Sequence, residues 1–214
     1  PEMNIEKKIA LVTGGANGIG FAYVTELLRN GAAVTWVYIF INLIPEDGFA
    51  KTVKEFGGLD IVINNAGIMD DSRWELMINI NYNAIVRGTL LGLQYMGKDK
   101  GGKGGTIVNV ASVVGIRPSL IFPIYAGTKH AIIGFSRSFG LPFHYEKTGV
   151  RLLTMCPSIT DTQLVSKSAG RSLDYVKPED ITKALNLYPS QTFVFRFDSQ
   201  SLSSSRKHDD AFCE

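Results

Sequence analysis

The chain is short of several things, and each shortage closes off a class. Two cysteines in 214 residues, Cys156 and Cys213, are too few for a disulfide framework. Cys156 lies in an apolar run and reads as a buried residue rather than a nucleophile. With 22 basic and 20 acidic residues the net charge is only +2, so no strong field draws the chain to nucleic acid or to an anionic membrane. The longest apolar run, from Val34 to Ile44, is broken by Thr35 and Asn42 and falls well short of the ~20 residues of a membrane span. No secretory signal is expected from the first residues given. These shortages predict a soluble, cytoplasmic protein with no membrane and no nucleic-acid partner, and no metal is expected. A last shortage is local: no acidic residue occurs between Glu26 and Glu46.

What remains is an ordinary globular composition, 45% hydrophobic, in a chain long enough for one real core. Residues 1–198 are expected to form a single domain, and the serine-rich, charged segment 199–214 a disordered tail. Within the domain, strands and helices alternate. Apolar or β-branched strands are predicted at 8–12, 32–43, 59–63, 106–111, 149–155 and 192–197. Helical periodicity is predicted at 21–29, 45–56, 74–96, around 125–133, and at 178–187. That alternation means an α/β fold in three layers, a doubly wound parallel sheet with helices on both faces.

Three features carry chemistry. The first strand runs into Thr13-Gly-Gly-Ala-Asn-Gly-Ile-Gly20, and a helix follows. Gly14, Gly18 and Gly20 let the backbone approach a pyrophosphate, which then faces a helix N-terminus. The strand at 59–63 ends in Asn64-Asn-Ala-Gly67, small and amide residues at the end of the sheet where open α/β folds bind ligands. The third feature spans Ser112 to Lys129. Tyr125 and Lys129 are one helical turn apart, with their heads on one face. A free phenol titrates near ~10, and a neighbouring ammonium favours the phenolate. Ser112, just past a strand, can present its hydroxyl beside the phenol. Together these groups suit removing a proton from an alcohol or returning one to a carbonyl.

Five motifs in this order, with Asn81 in Ile80-Asn-Tyr-Asn83 and Pro157-x-x-x-x-Thr162, resemble the short-chain dehydrogenase/reductases. The segments 88–96, 101–105, 129–138 and 149–153 are similar to a branch acting on prostanoid alcohols, and insect alcohol dehydrogenases share much of the pattern. The resemblance implies a Rossmann-like fold, NAD as cofactor, and hydride transfer between it and a secondary alcohol or ketone, lipid-derived ones among them. It implies that Tyr125 is the general base, that Lys129 lowers its pKa and binds the nicotinamide ribose, that Ser112 holds the substrate oxygen, and that Asn81 supports a proton-relay water. It assigns cofactor contacts to Gly14, Asn17, Gly18, Ile19, Gly20, Asn42, Asn64, Ala66, Gly67, Ile159, Thr160 and Thr162, and it implies a homodimer.

The sequence departs from the family where it lacks acids. A dinucleotide fold places an Asp or Glu ~20 residues past the glycine loop to hold the adenosine ribose. Here residues 32–42 resemble the start of the family's second strand joined to the end of its third, so one strand-helix unit is missing between the second and third strands, with Asn42 in place of an adenine-flanking Asp. Ser158 replaces a glycine, and Phe122 replaces a substrate-contacting Gln, which makes that wall apolar. No Arg or Lys in the glycine loop or near the end of the second strand meets a 2′-phosphate, which disfavours NADP. Two readings stay open here: an NAD-dependent dehydrogenase, or a catalytically impaired relative that acts as a binding or dimer-partner protein.

Overall fold

The computed structural model describes residues 4–38, 46–158, 160, 164 and 170–187. Five parallel strands lie in the order β2-β1-β3-β4-β5: β1 (Ile9–Thr13), β2 (Ala33–Val37), β3 (Ile61–Asn64), β4 (Gly105–Val110) and β5 (Val150–Met155). The helices are α1 (Gly18–Arg29), α2 (Glu46–Phe56), α3 (Trp74–Ile78), α4 (Ala84–Met96), α5 (Pro123–Phe139), α6 (Pro142–Thr148) and α7 (Pro178–Leu187).

Strand parity explains the layers. Successive strand side chains point to opposite faces. Ala10, Val12, Ile61 and Ile63 pack under Tyr23, Val24 and Leu27 of α1. Leu11, Val62 and Ile107 pack on the other face against Phe49 of α2 and Ala84, Leu91 and Met96 of α4. The central strands are buried on both faces, which is why they read as continuous apolar runs rather than alternating ones. Phe49 is fully buried, and covering such a side chain stabilises by about 2–3 kcal/mol. The helix α2 opens with Glu46 and Asp47, the charge sign its N-terminus favours.

The strand order explains how the sheet tolerates a missing unit. One common doubly wound order is 3-2-1-4-5-6, and another is 2-1-3-4-5. Removing the third strand from the first order and renumbering yields the second, which is the order among the described residues. A unit missing at that place would leave from an edge, so no interior strand would have to find a new neighbour. β2 then stands at the edge of the described sheet, paired on one side with β1 in the register Ile9 to Ala33 through Thr13 to Val37. The chain turns back at β2 and crosses to β3 on the far side of β1. That reversal opens a crevice at the C-terminal ends of β1 and β3.

Two elements differ from expectation. The helix predicted over 74–96 is interrupted by a π-helical turn at Asn79–Asn83, and α6 follows the Gly140 break where a direct passage to β5 was expected. The second half of the strand expected at 32–43, the strand at 192–197 and the tail at 199–214 lie outside the described residues.

Candidate active site

The glycine loop is fastened to the end of β3. The Thr13 hydroxyl oxygen accepts the N–H groups of Asn65 (2.9 Å) and Ala66 (3.0 Å). The Asn65 side chain donates to the Thr13 carbonyl at 3.0 Å. Gly14 has φ +70°, and a Cβ there would come within 3.0 Å of Ala66 Cα; at Gly20 it would run into the Gly14 carbonyl. The helix α1 starts at Gly18. Asn17, its N-cap, makes no side-chain cap bond, and the first turn carries no acid. The first N–H groups of a helix, here those of Gly18, Ile19 and Gly20, have no intrahelical acceptor. Such a terminus fits an anionic pyrophosphate. The Ile19 side chain packs on the core beneath.

The Asn64 side chain points into the layer between the sheet and α4. It follows Val62 at a two-residue step and so points to the α4 face. There its amide donates to Asn109 Oδ1 at 2.9 Å and lies 3.4 Å from Thr89 Oγ1. Asn109 in turn donates to Ser136 of α5 at 3.0 Å. This buried polar chain ties β3, β4, α4 and α5 together. The Asn64 side chain thus helps hold the strand ends together.

Ser112 lies two residues past β4, and Tyr125 and Lys129 lie on α5. Tyr125 and Lys129 are both buried, with the ammonium 5.4 Å from the ring centre. Lys129 Nζ donates to the Val110 carbonyl at 3.1 Å. Ser112 lies near enough to the phenol to lower its pKa, and its hydroxyl lies 3.5 Å from the Pro157 carbonyl. The electrostatics reverse one expectation. Burial dominates and pushes the Tyr125 phenol up to about 12, with Ser112 pulling it down. Burial also brings the Lys129 ammonium down to about 8. The sequence could name the lysine beside the tyrosine but not how dry both would be, and desolvation disfavours the phenolate. A protonated phenol here is poised to donate to a carbonyl oxygen, and the same geometry in reverse takes a proton from an alcohol.

The π-helical turn places Asn81, fully buried, between two partners. Its side chain accepts the Ile68 N–H and donates to the Ile68 carbonyl, both at 2.8 Å, and it donates to Thr128 Oγ1 at 3.2 Å. A Cβ on Gly67 would lie 3.2 Å from Asn81 Oδ1 and 3.6 Å from Lys129 Nζ, so Gly67 leaves open the space between them. Three residues of this region were not singled out from the sequence: Asn65, Asp70 and Asp71. Asp70 forms an ion pair with Arg73 at 2.7 Å, which with the Ser72 and Arg73 hydrogen bonds holds its carboxyl below the usual range against burial. Asp71 reaches the N-terminus of α5.

Thr160 is buried and donates to the Ser158 carbonyl at 3.0 Å, while Asn42, Ile159 and Thr162 lie outside the described residues. Beside Tyr125, Ile121 and Phe122 join Met77, Val176, Ile181 and Ala184 in an apolar wall; Leu120 points outward. On the adenosine side β2 ends at Val37, whose carbonyl accepts the Gly14 N–H at 2.8 Å. The next acids are Glu46 and Asp47, which open α2.

A glycine loop at the switch point, with Ser, Tyr and Lys at the neighbouring strand end and helix, is the arrangement of a dinucleotide-dependent dehydrogenase. A family model described as short chain dehydrogenase matches residues 45–171. The chain belongs to this family. It is 35% identical to the NAD(+)-dependent 15-hydroxyprostaglandin dehydrogenase of Mus musculus over 213 residues, covering 86% of this chain and 79% of that one. The Homo sapiens protein of the same name is 35% identical over 206 residues, 81% and 77% of the two chains. Alcohol dehydrogenase 2 of Ceratitis capitata is 38% identical over 217 residues, 88% and 83%. A short chain dehydrogenase/reductase from Burkholderia phymatum, solved in complex with NAD, superposes with a TM-score of 0.71 over 86% of this chain and 80% of that one; at 18% identity this speaks for the fold alone.

Proposed function

We propose that the chain is an NAD-dependent oxidoreductase that transfers a hydride between the cofactor and a secondary alcohol or ketone of lipid-like character. The observation that carries this reading is the buried group of Ser112, Tyr125 and Lys129 beside an apolar wall. The glycine loop and the open first turn of α1 would hold the pyrophosphate, and Gly67 and Lys129 lie on the nicotinamide side. NAD, when bound, supplies the hydride acceptor or donor. The chain's own residues do the rest. Ser112 orients the substrate oxygen, Tyr125 gives or takes the proton at that oxygen, and Lys129 keeps a positive charge beside the phenol below about pH 8. The side chain of Asn81 is occupied by Ile68 and Thr128, so its part is to hold the turn that any relay water would use.

The apolar wall supports a lipid-derived substrate, since a hydrocarbon chain loses water on entering it and finds no polar selector at Phe122. The reading includes a homodimer through the outer faces of α3, α4 and α5, supported by the exposed Trp74 and Leu90, and a cytoplasmic location. Among the described residues no helix is long and apolar enough to cross a membrane. The impaired binding-protein alternative is not favoured, because the relatives are dehydrogenases by name. Purified protein, NAD and a panel of secondary alcohols of increasing chain length, followed by absorbance of NADH, test the reading. Turnover that improves with chain length supports it; no turnover with any alcohol or ketone, in either direction, refutes it.

A further inference from the structure

The N-terminus of α5, the helix that carries Tyr125, is closed by a residue from another element. Phe122, the N-cap, makes no side-chain cap bond, and Pro123 has no N–H to offer. The next two N–H groups go to one carboxylate: Ile124 donates to Asp71 Oδ2 at 2.8 Å and Tyr125 to Asp71 Oδ1 at 3.0 Å. Ala126 donates to the Phe122 carbonyl at 3.0 Å, which completes the turn. Asp71 is fully buried. Its neighbours are pinned as well, Asp70 by Arg73 and the Ser72 N–H by the Arg171 carbonyl at 3.2 Å.

The carbonyl of Tyr125 is tied to the same segment by a second route. Thr128 Oγ1 donates to the Tyr125 carbonyl at 2.7 Å and accepts from Asn81 at 3.2 Å. The stretch between Gly67 and Asn81 therefore grips Tyr125 at both ends of its backbone. We propose that Asp71 is a positioning residue for the reaction: its carboxylate fixes the backbone of Tyr125, and with it the reach of the phenol to Ser112 and to the substrate oxygen. The inference rests on the reading of Tyr125 as the proton-transferring group. A carboxylate suits the task because two oxygens serve two N–H groups, and the negative charge is favoured at a helix N-terminus. Asn in its place offers one oxygen and turns an NH2 toward the second N–H. A small misplacement of a reacting group is enough to cost about 100-fold in rate.

The test uses the full chain with Asp71→Asn, and Asp71→Ser as a second variant that keeps a capping oxygen if the first does not fold. Two readouts are taken. Hydrogen exchange of the Ile124 and Tyr125 amides, measured without substrate, is expected to speed up by about tenfold or more in the variant while other α5 amides change little. In turnover, kcat is expected to fall by about 10- to 100-fold with the affinity for NAD unchanged within about twofold, and the same substitution made in Tyr125→Phe is expected to lower the residual rate by less than about twofold. A merely structural role predicts equal losses in both backgrounds, and that outcome overturns the proposal. Unchanged amide exchange overturns it even if the parent chain proves inactive, in which case the proposed activity fails on its own account.

Discussion

On one side of the crevice, β3, β4, α4 and α5 are joined by the Asn64–Asn109–Ser136 chain, by Asn81 across to Ile68 and Thr128, and by Asp71 to the start of α5. On the other side, β2 stands at the edge of the described sheet, paired only with β1, with Trp36 about half exposed. The first side is cross-linked by buried polar groups, each of which constrains the next. The second is a single strand with one neighbour. A strand-helix unit missing at such an edge could be borne because little is built upon it, whereas a comparable loss near α5 would separate Ser112, Tyr125 and Lys129. The difference separates two properties that usually travel together: the chemistry at Tyr125 and the grip on the adenosine end of the cofactor.

Substitutions on the two sides should therefore differ in kind and in size. Tyr125→Phe removes the hydroxyl proposed to transfer the proton and is expected to lower kcat by about 10³-fold, with NAD affinity nearly unchanged. Steady-state kinetics with calorimetry check this, and retention of most activity would show that another group moves the proton. Lys129→Met should abolish efficient turnover and yet stabilise the fold at neutral pH. Burial brings Lys129 from 10.5 down to about 8, so between those values the unfolded chain holds a proton that the folded chain has released. Stability thus rises with pH across that window, and the cost of the buried charge, about 3 kcal/mol at most, is felt in full below pH 8. The Met variant should gain about 1–3 kcal/mol at pH 7, less the loss of a donor to the Val110 carbonyl, and the gain should shrink by pH 9.5. Urea unfolding at both pH values decides it; a variant less stable than the parent at both contradicts the assignment.

Asn81→Ala leaves the Ile68 backbone groups without their side-chain partner and should cost about 1–3 kcal/mol of stability, with a fall in kcat as the π-helical turn loosens. Thermal unfolding with kinetics measures both, and a variant with unchanged stability would remove Asn81 from the framework. Trp36→Ala, on the edge strand, keeps the Cβ that packs against Gly15 and should change stability by no more than about 0.5 kcal/mol and leave kcat untouched. A large loss of kcat there would mean that the two sides of the crevice are coupled after all.

The order of strands and helices was readable from the sequence because apolar periodicity is local, and the candidate group because Tyr125, Lys129 and Ser112 keep a recognisable spacing, which the fold brings together. What escaped was either long-range or a matter of dielectric. Asp71 acts on Tyr125 across a separation of 54 residues, and nothing in its neighbourhood marks it as a cap for a distant helix. The pKa of Tyr125 turned on burial, which no spacing conveys. The direction of the Asn64 side chain follows from strand parity with Val62, which puts it on the α4 face. The π-helical turn at Asn79–Asn83 lies within a sequence whose periodicity reads as unbroken helix.

The central claim is that the nicotinamide side of the site is complete enough to use NAD although the chain between Glu26 and Glu46 offers no acid for the ribose. Calorimetric titration of the purified protein with NAD, and separately with NADP, tests it most directly. The account predicts saturable binding of NAD, with NADP much weaker. Binding of neither at millimolar concentration would contradict it, and the Ser112, Tyr125 and Lys129 group would then be a framework without a cofactor to serve.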